Sequence, residues 1–498
     1  MLSSNSVSPT IAETDAEIAK KLPAHRDLYY GGAWRKPQGG YTDTYNPATG
    51  ANLGACAEAN ADDVNAAVAA ANAAFPDWSA TKPAERGRIL HEMAERLRLH
   101  GPELAYLDAA NCGNPIREMV GDASVAAAQL DFFAGLVTEI KGDTQLIDKS
   151  SFNMMVREPL GVCSRIVAYN HPLMFTAGKC AAPLAAGNTV IMKPPPQAPL
   201  ATYRMMELFD GLLPPGVFNL LTGGVACGEA LVEHPLVPMV TLIGSAPTGR
   251  AIAAVAAKHL KSVLFELGGK NALIVYPDAN RSRAIEGAIR GMNFGWCGQS
   301  CGSTSRLFVH ASIYDEILAG VVEGAKKYKP GIPTEMATTM GAIVSKAQHD
   351  KILSYIELGK TEGARLVLGG RQPAEAHLQK GFFVEPTVFA DVRADMRIAR
   401  EEIFGPVLSM IKWDDEEEML SQVNSVEYGL TGAVFTESLA TAHRVARRIQ
   451  SGFIWINHSA SHFLGSPFGG YKQSGLGREE CLEELLSFTQ IKNIHVSF

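Results

Sequence analysis

The chain has 498 residues, of which 46% are hydrophobic and 19% are charged, and its formal net charge is −7. This length exceeds one ordinary hydrophobic core, so we expect a globular, enzyme-sized protein with two or three domains. The modest, mixed charge argues against a nucleic-acid partner. No apolar run reaches the roughly 18 residues of a membrane span, and the N-terminus lacks a secretory apolar stretch, so we expect no membrane partner.

The cysteines are scattered, with no CxxC pair and no histidine grouping at metal-ligand spacing. This pattern predicts a reducing, cytoplasmic location and no metal site. The eight cysteines are Cys56, Cys112, Cys163, Cys180, Cys227, Cys297, Cys301 and Cys481.

The N-terminal part of the chain predicts helices. Residues 1 to about 25 are expected to form a loose tail or a first helix. Two amphipathic helices follow, because apolar residues recur at helical spacing. Their apolar faces are Val64, Val68, Ala71 and Phe75 in the first, and Ile89, Leu90, Met93 and Leu97 in the second.

After about Val156, short apolar runs alternate with glycine and proline, which predicts the buried parallel strands of a doubly wound α/β sheet. Helices over 200–212 and 249–259 would supply the crossovers. The predicted strands are VCSRIVA ending at Ala168, TVIM ending at Met192, VFNLL ending at Leu221 and MVTLI ending at Ile243.

A second α/β domain is predicted after Glu266, with strands over 272–276 and 306–309 and further segments to about Ile456. The glycine-rich stretch 467–479 predicts a loop that returns to the domain interface. Alternation over 489–496 predicts a last strand. Because this strand has no obvious partner in its own chain, it indicates pairing with a neighbouring subunit and hence an oligomer.

Two residues carry the chemistry. Cys301 lies in Gly298-Gln299-Ser300-Cys301, where main-chain amides can face its sulfur, and Glu266 precedes it by thirty-five residues. A thiol and a separate carboxylate suit an acyl-enzyme that an activated water then hydrolyses. The alternative for a lone cysteine is a small buried apolar residue.

A strand, a glycine turn and a helix N-terminus follow one another at Gly244, Ser245 and Gly249. This arrangement suits a phosphate group, although its spacing is not GxGxxG and a bare glycine turn remains the alternative. Lys193 ends a predicted strand, where open α/β sheets bind ligands, unless it is simply a solvated lysine.

Farther along the chain, Glu402 and Phe404 place a carboxylate and an aromatic ring on one short loop, a pairing that ribose hydroxyls and a flat ring would use. A polar loop capped by a core phenylalanine is the alternative for this pair.

Seven motifs, in order, make the chain resemble an NAD(P)-dependent aldehyde dehydrogenase over nearly its whole length. They are AYNHPL with Asn170, IMKP with Lys193, GSAPTG over 244–249, FELGGKN with Glu266, GQSCGSTSR with Cys301, EEIFGPV with Glu402, and PFGGYKQSGLGRE over 467–479.

The resemblance implies an α/β fold of three parts and a homodimer or homotetramer. A Rossmann-like cofactor domain would comprise residues 1–137 and 158–265, and an α/β catalytic domain residues 266–475. A small β oligomerisation element would comprise residues 138–157 and 485–498.

The resemblance also implies catalytic roles. Cys301 would attack the aldehyde carbonyl, and the oxyanion would lie between the Asn170 side-chain amide and the Cys301 main-chain N–H. Glu266 would activate the water that hydrolyses the thioester. Lys179 and Glu479 fall where a proton-relay pair would support that base.

For the cofactor, the resemblance implies that Ser245, with Gly244 and Gly249, contacts the pyrophosphate. Lys193 would contact the adenosine ribose, with Ile166 as a further cofactor contact. Glu402 would contact the nicotinamide ribose and Phe404 the nicotinamide region. Three residues after Lys193, NAD-preferring members usually carry a glutamate, but this chain has Pro196. We therefore expect NAD, with NADP possible.

The substrate site departs from the usual family pattern. Tyr169 and His171 flank the predicted oxyanion residue, Gly178 stands where the family has an aromatic residue, and Trp296 precedes the nucleophile by five residues. We expect a roomy, partly polar pocket for a bulky, aromatic or heteroaromatic aldehyde, lined by His171, Met174, Trp296, Ser300, His462 and Phe468. The histidines could instead only satisfy polar groups at the rim.

Other activities stay open at this stage. A betaine-type amino aldehyde or a semialdehyde is the alternative substrate class. A CoA-acylating semialdehyde dehydrogenase would lack the deacylating glutamate, so Glu266 argues against it. A catalytically silent structural or binding homologue is the alternative from another class. Cys297 is either a redox partner of Cys301, one helical turn away if that segment is helical, or a packed thiol.

Overall fold

The computed structural model describes residues 11–498. The predicted N-terminal segment therefore lies partly outside the described residues, and its remainder contains a helix, α1. Residues 11–498 contain sixteen α-helices: α1 Ile11–Ala19, α2 Ala61–Ala80, α3 Pro83–Cys112, α4 Ile116–Gly135, α5 Pro172–Gly178, α6 Ala181–Ala186, α7 Leu200–Phe209, α8 Val225–Glu233, α9 Ala246–Lys258, α10 Arg281–Gly291, α11 Tyr314–Ala325, α12 Lys346–Thr361, α13 Arg397–Arg400, α14 Glu416–Asn424, α15 Leu439–Ala446 and α16 Leu482–Ser487.

The described chain also contains twenty-two strands: β1 Leu28–Tyr30, β2 Ala33–Arg35, β3 Tyr41–Tyr45, β4 Asn52–Ala57, β5 Asp143–Asp148, β6 Ser151–Pro159, β7 Val162–Ile166, β8 Thr189–Lys193, β9 Phe218–Leu220, β10 Met239–Ile243, β11 Ser262–Glu266, β12 Ala272–Val275, β13 Arg306–His310, β14 Arg365–Leu368, β15 Thr387–Ala390, β16 Val407–Trp413, β17 Tyr428–Gly429, β18 Thr431–Phe435, β19 Phe453–Ile456, β20 Tyr471–Lys472, β21 Gly475–Leu476 and β22 Thr489–Ser497.

The first sheet has the order β2-β1-β9-β8-β7-β10-β11-β21. Its five central strands are parallel, which confirms the strands predicted from the apolar runs. Both edges are antiparallel instead. At one edge, the short strand β21 comes from the glycine-rich loop and pairs with Phe265 and Glu266, so that this loop returns to the carboxyl end of β11.

The predicted helix over 249–259 begins three residues earlier than expected, as α9. Ser245 is its N-cap, because its side chain accepts a hydrogen bond from the Thr248 main-chain N–H. Gly249 therefore lies in the first turn of the helix rather than in a preceding turn. The predicted faces of α2 and α3 are buried, except that Phe75 is only partly buried.

The second sheet has the order β14-β15-β16-β13-β12-β18-β19, and it is parallel apart from β14. It confirms the second α/β cycle predicted after Glu266. Separate hydrophobic clusters accompany the two large sheets. No helix in residues 11–498 is long and apolar enough to cross a membrane.

The expectation that the C-terminal strand lacks a partner in its own chain was wrong. Strand β22 pairs antiparallel with β6 over its whole length, from Thr489 opposite Pro159 to Ser497 opposite Ser151. Together with β5 these strands form a small three-stranded sheet in which β22 is an edge. The pairing was not visible in the sequence because about 330 residues separate the two strands.

Candidate active site and cofactor crevice

The carboxyl ends of four neighbouring strands form one row. Lys193 at the end of β8 is opposite Ile166 at the end of β7. Strand β7 pairs in turn with β10 next to Ile243. Ile243 at the end of β10 is opposite Glu266 at the end of β11. Adjacent strands lie about 4.8 Å apart, so the backbone of Lys193 and that of Glu266 are separated by three spacings, about 14 Å. The predicted cofactor lysine and the predicted base thus share one edge of the sheet.

A side-chain hydrogen bond and a close main-chain approach hold the loop that contains Cys301. Asn271 Nδ2 donates a hydrogen bond to the Cys301 carbonyl oxygen over 2.7 Å. Gly298 has φ +65°, and a Cβ on it would lie 2.2 Å from the Gly405 carbonyl oxygen, so only glycine fits there. Asn271, in the same FELGGKN segment as Glu266, is a positioning residue that the sequence reasoning missed.

Opposing influences act on the Cys301 thiol. Burial raises the pKa of the thiol to about 12, and the charges of Glu266 and Glu402 contribute to the rise. The main-chain N–H groups of Gly302 and Cys301 lower the pKa, as donors aimed at the sulfur do. The thiol is therefore mostly protonated at neutral pH before substrate and cofactor bind.

Glu266 is 4% exposed, and neither of its carboxylate oxygens has a hydrogen-bond partner among the described residues. Burial, followed by the negative charge of Glu479, raises the pKa of Glu266 well above its ordinary value, against the opposing charge of Lys179. A buried carboxyl with no partner is costly unless it has a function. These properties suit a group that exchanges a proton with water.

A buried charge network lies beside Glu266. Lys179 Nζ is 2.9 Å from Glu479 Oε2, and Arg165 Nη2 is 3.2 Å from Glu479 Oε1 and 3.3 Å from Glu484 Oε1. Burial acts to lower the pKa of Lys179, but the carboxylates of Glu479, Glu484 and Glu480 raise it above its ordinary value. Glu479 therefore lies between two buried cationic side chains, those of Lys179 and Arg165.

The two neighbouring glutamates differ in protonation. Burial and the charge of Glu479 raise the pKa of Glu484 to about 7. Burial acts in the same direction on Glu480, but a hydrogen bond with His462 and the charge of Lys179 lower its pKa to about 2. The network thus raises the pKa of Glu484 and lowers that of Glu480.

A cavity of about 310 Å³ brings most of the predicted residues together. It contains the predicted nucleophile, base and relay pair and all six predicted substrate-pocket residues: Cys301, Glu266, Lys179, Glu479, His171, Met174, Trp296, Ser300, His462 and Phe468. Asn170 is buried but does not line this cavity. Its main-chain carbonyl accepts a hydrogen bond from Asn114 Nδ2 over 2.8 Å.

Helices α4 and α5 form one wall of the cavity, and they carry a residue that the sequence reasoning missed. A Cβ on Gly178 of α5 would lie 1.8 Å from Gln129 Oε1 of α4. Gln129 therefore occupies the space that an aromatic side chain at position 178 would need. The absence of a side chain at Gly178 signals that a neighbour fills this space, but it does not identify that neighbour.

Two histidines in the cavity are backed by carboxylates. His171 Nδ1 lies 2.7 Å from Asp122 Oδ2, with Asp122 again on α4. His462 Nδ1 lies 3.3 Å from Glu480 Oε2 on the opposite wall, and its ring packs against Phe468 with a centroid distance of 4.2 Å.

The crevice at the carboxyl ends of β8, β7 and β10 fits a dinucleotide. The order of the sheet reverses between β8 and β10, which lie on opposite sides of β7, and such switch points bind ligands in open α/β sheets. The Lys193 side chain is buried there and makes no hydrogen bond or ion pair with the described residues. The N-terminus of α9 follows β10, two strands from Lys193 in the row, and the first main-chain N–H groups of a helix are suited to a phosphate.

Glu402 and Phe404 lie across from this crevice, on the loop before β16. Glu402 Oε1 accepts a hydrogen bond from the Gly269 main-chain N–H over 2.9 Å. Phe404, at φ +58°, makes an edge contact with Tyr169 at a centroid distance of 5.8 Å. The loop is therefore joined to the segments that carry Glu266 and Asn170.

Cys297 is a packed thiol in this structure. A single 3-10 turn precedes it and the chain does not continue as a helix to Cys301, so the two cysteines are not stacked on one helical face. Cys297 belongs to the core of the second sheet, and burial raises the pKa of its thiol to about 12.

Comparisons with known proteins identify the family of the chain. The model of the family described as "Aldehyde dehydrogenase family" matches residues 34–494. The chain is 49% identical over 488 residues to the aldehyde dehydrogenase tropH of Talaromyces stipitatus, covering 96% of this chain and 95% of the relative. It is 44% identical over 452 residues to a betaine aldehyde dehydrogenase of Brucella anthropi, covering 90% and 92%.

Solved structures of aldehyde dehydrogenases are also similar to the chain. The betaine aldehyde dehydrogenase of Staphylococcus aureus in complex with NAD+ is similar at a TM-score of 0.94 and 32% identity, covering 97% of each chain. The indole-3-acetaldehyde dehydrogenase of P. syringae, in complex with NAD+ and IAA, has a TM-score of 0.94 and 35% identity, covering 99% of this chain and 100% of that one. The family match over residues 34–494 and the relatives at 44% and 49% identity show that the chain belongs to the aldehyde dehydrogenase family of oxidoreductases.

Proposed function

We propose that the protein oxidises a bulky aromatic or heteroaromatic aldehyde to its carboxylic acid with NAD, through a thioester on Cys301. One observation carries the proposal: Cys301 and the unpartnered carboxyl of Glu266 line the same cavity. A thiol alone would stop at the acyl-enzyme, and a buried carboxyl beside it supplies the base for hydrolysis.

The first step forms a carbon–sulfur bond. The Cys301 thiolate attacks the carbonyl carbon, and the carbonyl electron pair moves to oxygen, giving a thiohemiacetal anion. Main-chain N–H groups around Cys301 and the amide of Asn170 would stabilise this anion, and one such donor is typically worth about 3 kcal/mol of barrier. NAD held by Lys193, the N-terminus of α9, Glu402 and Phe404 would supply the hydride acceptor for this carbon, and the product would be a thioester on Cys301.

The second step releases the acid. Glu266 accepts a proton as water attacks the thioester carbon, the carbon–sulfur bond breaks, and Cys301 leaves as the thiolate. Lys179 and Glu479 would then carry the proton away from Glu266. The charges of this pair act on Glu266 with opposite signs, which supports such a coupling.

NAD is the proposed cofactor, with NADP possible. Lys193 and the N-terminus of α9 would bind the adenosine ribose and the pyrophosphate, and Glu402 and Phe404 would bind the nicotinamide end. Two similar solved structures contain NAD+. Pro196 supplies no carboxylate to repel a 2′-phosphate, so measured turnover with both cofactors decides the preference.

A flat, bulky substrate fits the lining of the cavity better than a small aliphatic one. Aromatic rings of Phe175, Trp296 and Phe468 surround it, and its volume of about 310 Å³ exceeds what acetaldehyde needs. One similar protein is named a betaine aldehyde dehydrogenase and another an indole-3-acetaldehyde dehydrogenase. By these names, the family includes enzymes for quaternary ammonium aldehydes and for aldehydes with an aromatic ring. The choice between them therefore depends on the walls.

Steady-state assays test the proposed function. Reduced nicotinamide would be followed with NAD and NADP for benzaldehyde, a heteroaromatic aldehyde, betaine aldehyde, a semialdehyde and acetaldehyde, with and without CoA. We expect the highest kcat/KM for an aromatic aldehyde and a free acid as product. Higher kcat/KM for acetaldehyde, or a CoA thioester as product, would contradict the proposal, and no reduction with any aldehyde would favour a silent homologue.

We further propose a homodimer or homotetramer in a reducing, cytoplasmic compartment. The three-stranded sheet exposes large apolar side chains, namely Leu146, Ile147, Met154, Ile491, Ile494 and Phe498, which a second copy would cover. All eight cysteines are free thiols. Sedimentation of the wild type and of Ile491→Lys tests the assembly, and we expect the variant to be the smaller species.

A further inference from the structure

The Asp122–His171 pair gives the cavity an oriented acceptor that aldehyde oxidation itself does not need. Asp122 is 6% exposed at its side chain and His171 is 14% exposed. Because the carboxylate lies 2.7 Å from Nδ1, the neutral ring carries its proton on Nδ1. Nε2 is then a lone-pair acceptor, and it has no hydrogen-bond partner among the described residues while its ring lines the cavity.

Flat apolar surfaces surround this acceptor. The His171 ring contacts Phe175 at a centroid distance of 5.2 Å and Trp296 at 5.8 Å, and all three residues line the cavity. A planar ring can stack there while a substituent on it reaches Nε2.

Gln129 adds a second unsatisfied polar group on the same wall. It follows Asp122 by seven residues on α4, two helical turns on, so the two side chains lie on one face. Gln129 is 1% exposed and lines the cavity, yet its amide oxygen is buried without a partner and its amide nitrogen has no hydrogen bond to the described residues. Because Oε1 is packed against Gly178, the amide nitrogen is the group of Gln129 that a ligand in the cavity can reach and pair with.

We propose that the preferred substrate is an aromatic aldehyde carrying an acidic ring hydroxyl, which donates its proton to His171 Nε2 and has Gln129 as a further polar contact. This inference rests on the proposed aldehyde oxidation and narrows its substrate class. For a weakly acidic hydroxyl, O–H donates to Nε2. For a more acidic one, the proton moves to Nε2, and the resulting imidazolium lies between the ring oxygen and the Asp122 carboxylate.

The other candidates fit less well. His462 also has a carboxylate partner, but its side chain is 40% exposed and its contact to Glu480 is longer, so water competes there. A quaternary ammonium aldehyde offers no O–H group to Nε2 and leaves Gln129 unpaired. Gly178 also removes one aromatic surface that would face such a cation.

Matched aldehydes test the inference. We would measure kcat and KM for benzaldehyde, for the three hydroxybenzaldehydes and for the three methoxybenzaldehydes, which keep the ring oxygen but lack its proton. We expect at least one hydroxy isomer to exceed its methoxy counterpart at least tenfold in kcat/KM, mainly through a lower KM.

Asp122→Asn separates recognition from structure. The asparagine amide can donate to Nδ1, which moves the ring proton to Nε2 and turns the acceptor into a donor. A donor serves hydroxy and methoxy oxygens alike, so the hydroxy-to-methoxy ratio of kcat/KM should fall to near one. If the pair only stabilises the fold, the variant lowers kcat/KM for both aldehydes equally and keeps the ratio, which would overturn the inference.

Asp131→Asn is the matched control, because Asp131 also lies on α4 and pairs with a histidine, His91 Nδ1, over 2.6 Å, but outside the cavity. The Asp131→Asn variant should keep the wild-type hydroxy-to-methoxy ratio of kcat/KM. Turnover of benzaldehyde without preference for any hydroxy isomer, or preference for betaine aldehyde, overturns the inference and leaves aldehyde oxidation standing. Absence of turnover with every aldehyde overturns both.

Discussion

The floor and the walls of the catalytic cavity are built differently. The floor consists of Cys301, which lies within a loop held by Asn271, and Glu266, which ends β11 and is held by the pairing of that strand. The walls consist of side chains from α4, α5 and the loop before β20, in pairs that join distant segments. We therefore expect the floor to determine the reaction and the walls to determine which aldehyde reaches it.

The largest expected effect follows removal of the Cys301 thiol, the proposed nucleophile. Cys301→Ala should lower turnover by roughly a thousandfold or more, because no other group in the cavity can form the thioester. Reduced-nicotinamide assays with an aromatic aldehyde measure the loss. The control is Cys297→Ala, which removes a packed thiol and should retain activity. A Cys301→Ala enzyme with a tenth of wild-type activity would refute the role of this thiol.

Glu266→Gln should separate the two chemical steps. The thioester still forms, so rapid mixing should show a burst of about one reduced nicotinamide per active site, followed by steady turnover roughly 10²- to 10⁴-fold slower. The control is Glu483→Gln, because Glu483 is an exposed glutamate on α16. This variant should keep the wild-type steady turnover and show no burst followed by slow turnover. Loss of the burst together with turnover would show that Glu266 acts before hydrolysis.

The charge network makes turnover depend on pH. Because the pKa of Glu266 is raised, its carboxyl stays protonated below that pKa and cannot accept a proton from water. The pKa of Cys301 is raised as well, so both groups gain their active forms as pH increases. We expect kcat to rise on the order of tenfold between about pH 6 and pH 9. A flat or falling profile would contradict the protonation states derived for the floor.

The smallest expected effect on activity concerns the wall of the cavity that α4 and α5 form. Gly178→Ala brings a Cβ within 1.8 Å of Gln129 Oε1, so the glutamine must move. We expect a loss of about 1–3 kcal/mol in the free energy of unfolding and a several-fold higher KM for bulky aldehydes. In the control, Gly121→Ala on α4, the new Cβ meets nothing within 4 Å, and helix propensity should raise the stability by roughly 0.5–1 kcal/mol. Equal stability of the two variants would show that Gln129 is not confined.

Much of the architecture was readable in the sequence. Runs such as that ending at Ile243 predicted central strands because buried parallel strands are continuously apolar. The partner of β22 was missed because β6 lies about 330 residues away in the chain. The start of α9 was missed for a local reason, because the Ser245 side chain caps the helix and it begins three residues before the predicted start.

By itself, the sequence determined the fold class and the family and predicted roles for Cys301 and Glu266, since ordered motifs and apolar periodicity are local properties of the chain. Tertiary structure alone decided that the Glu266 carboxyl has no hydrogen-bond partner among residues 11–498, that Gln129 fills the space at Gly178 and that Asp122 orients His171 across 49 residues. The physical reason is that burial and charge pairing depend on side chains brought together from separate segments, and no local pattern encodes which segments will meet.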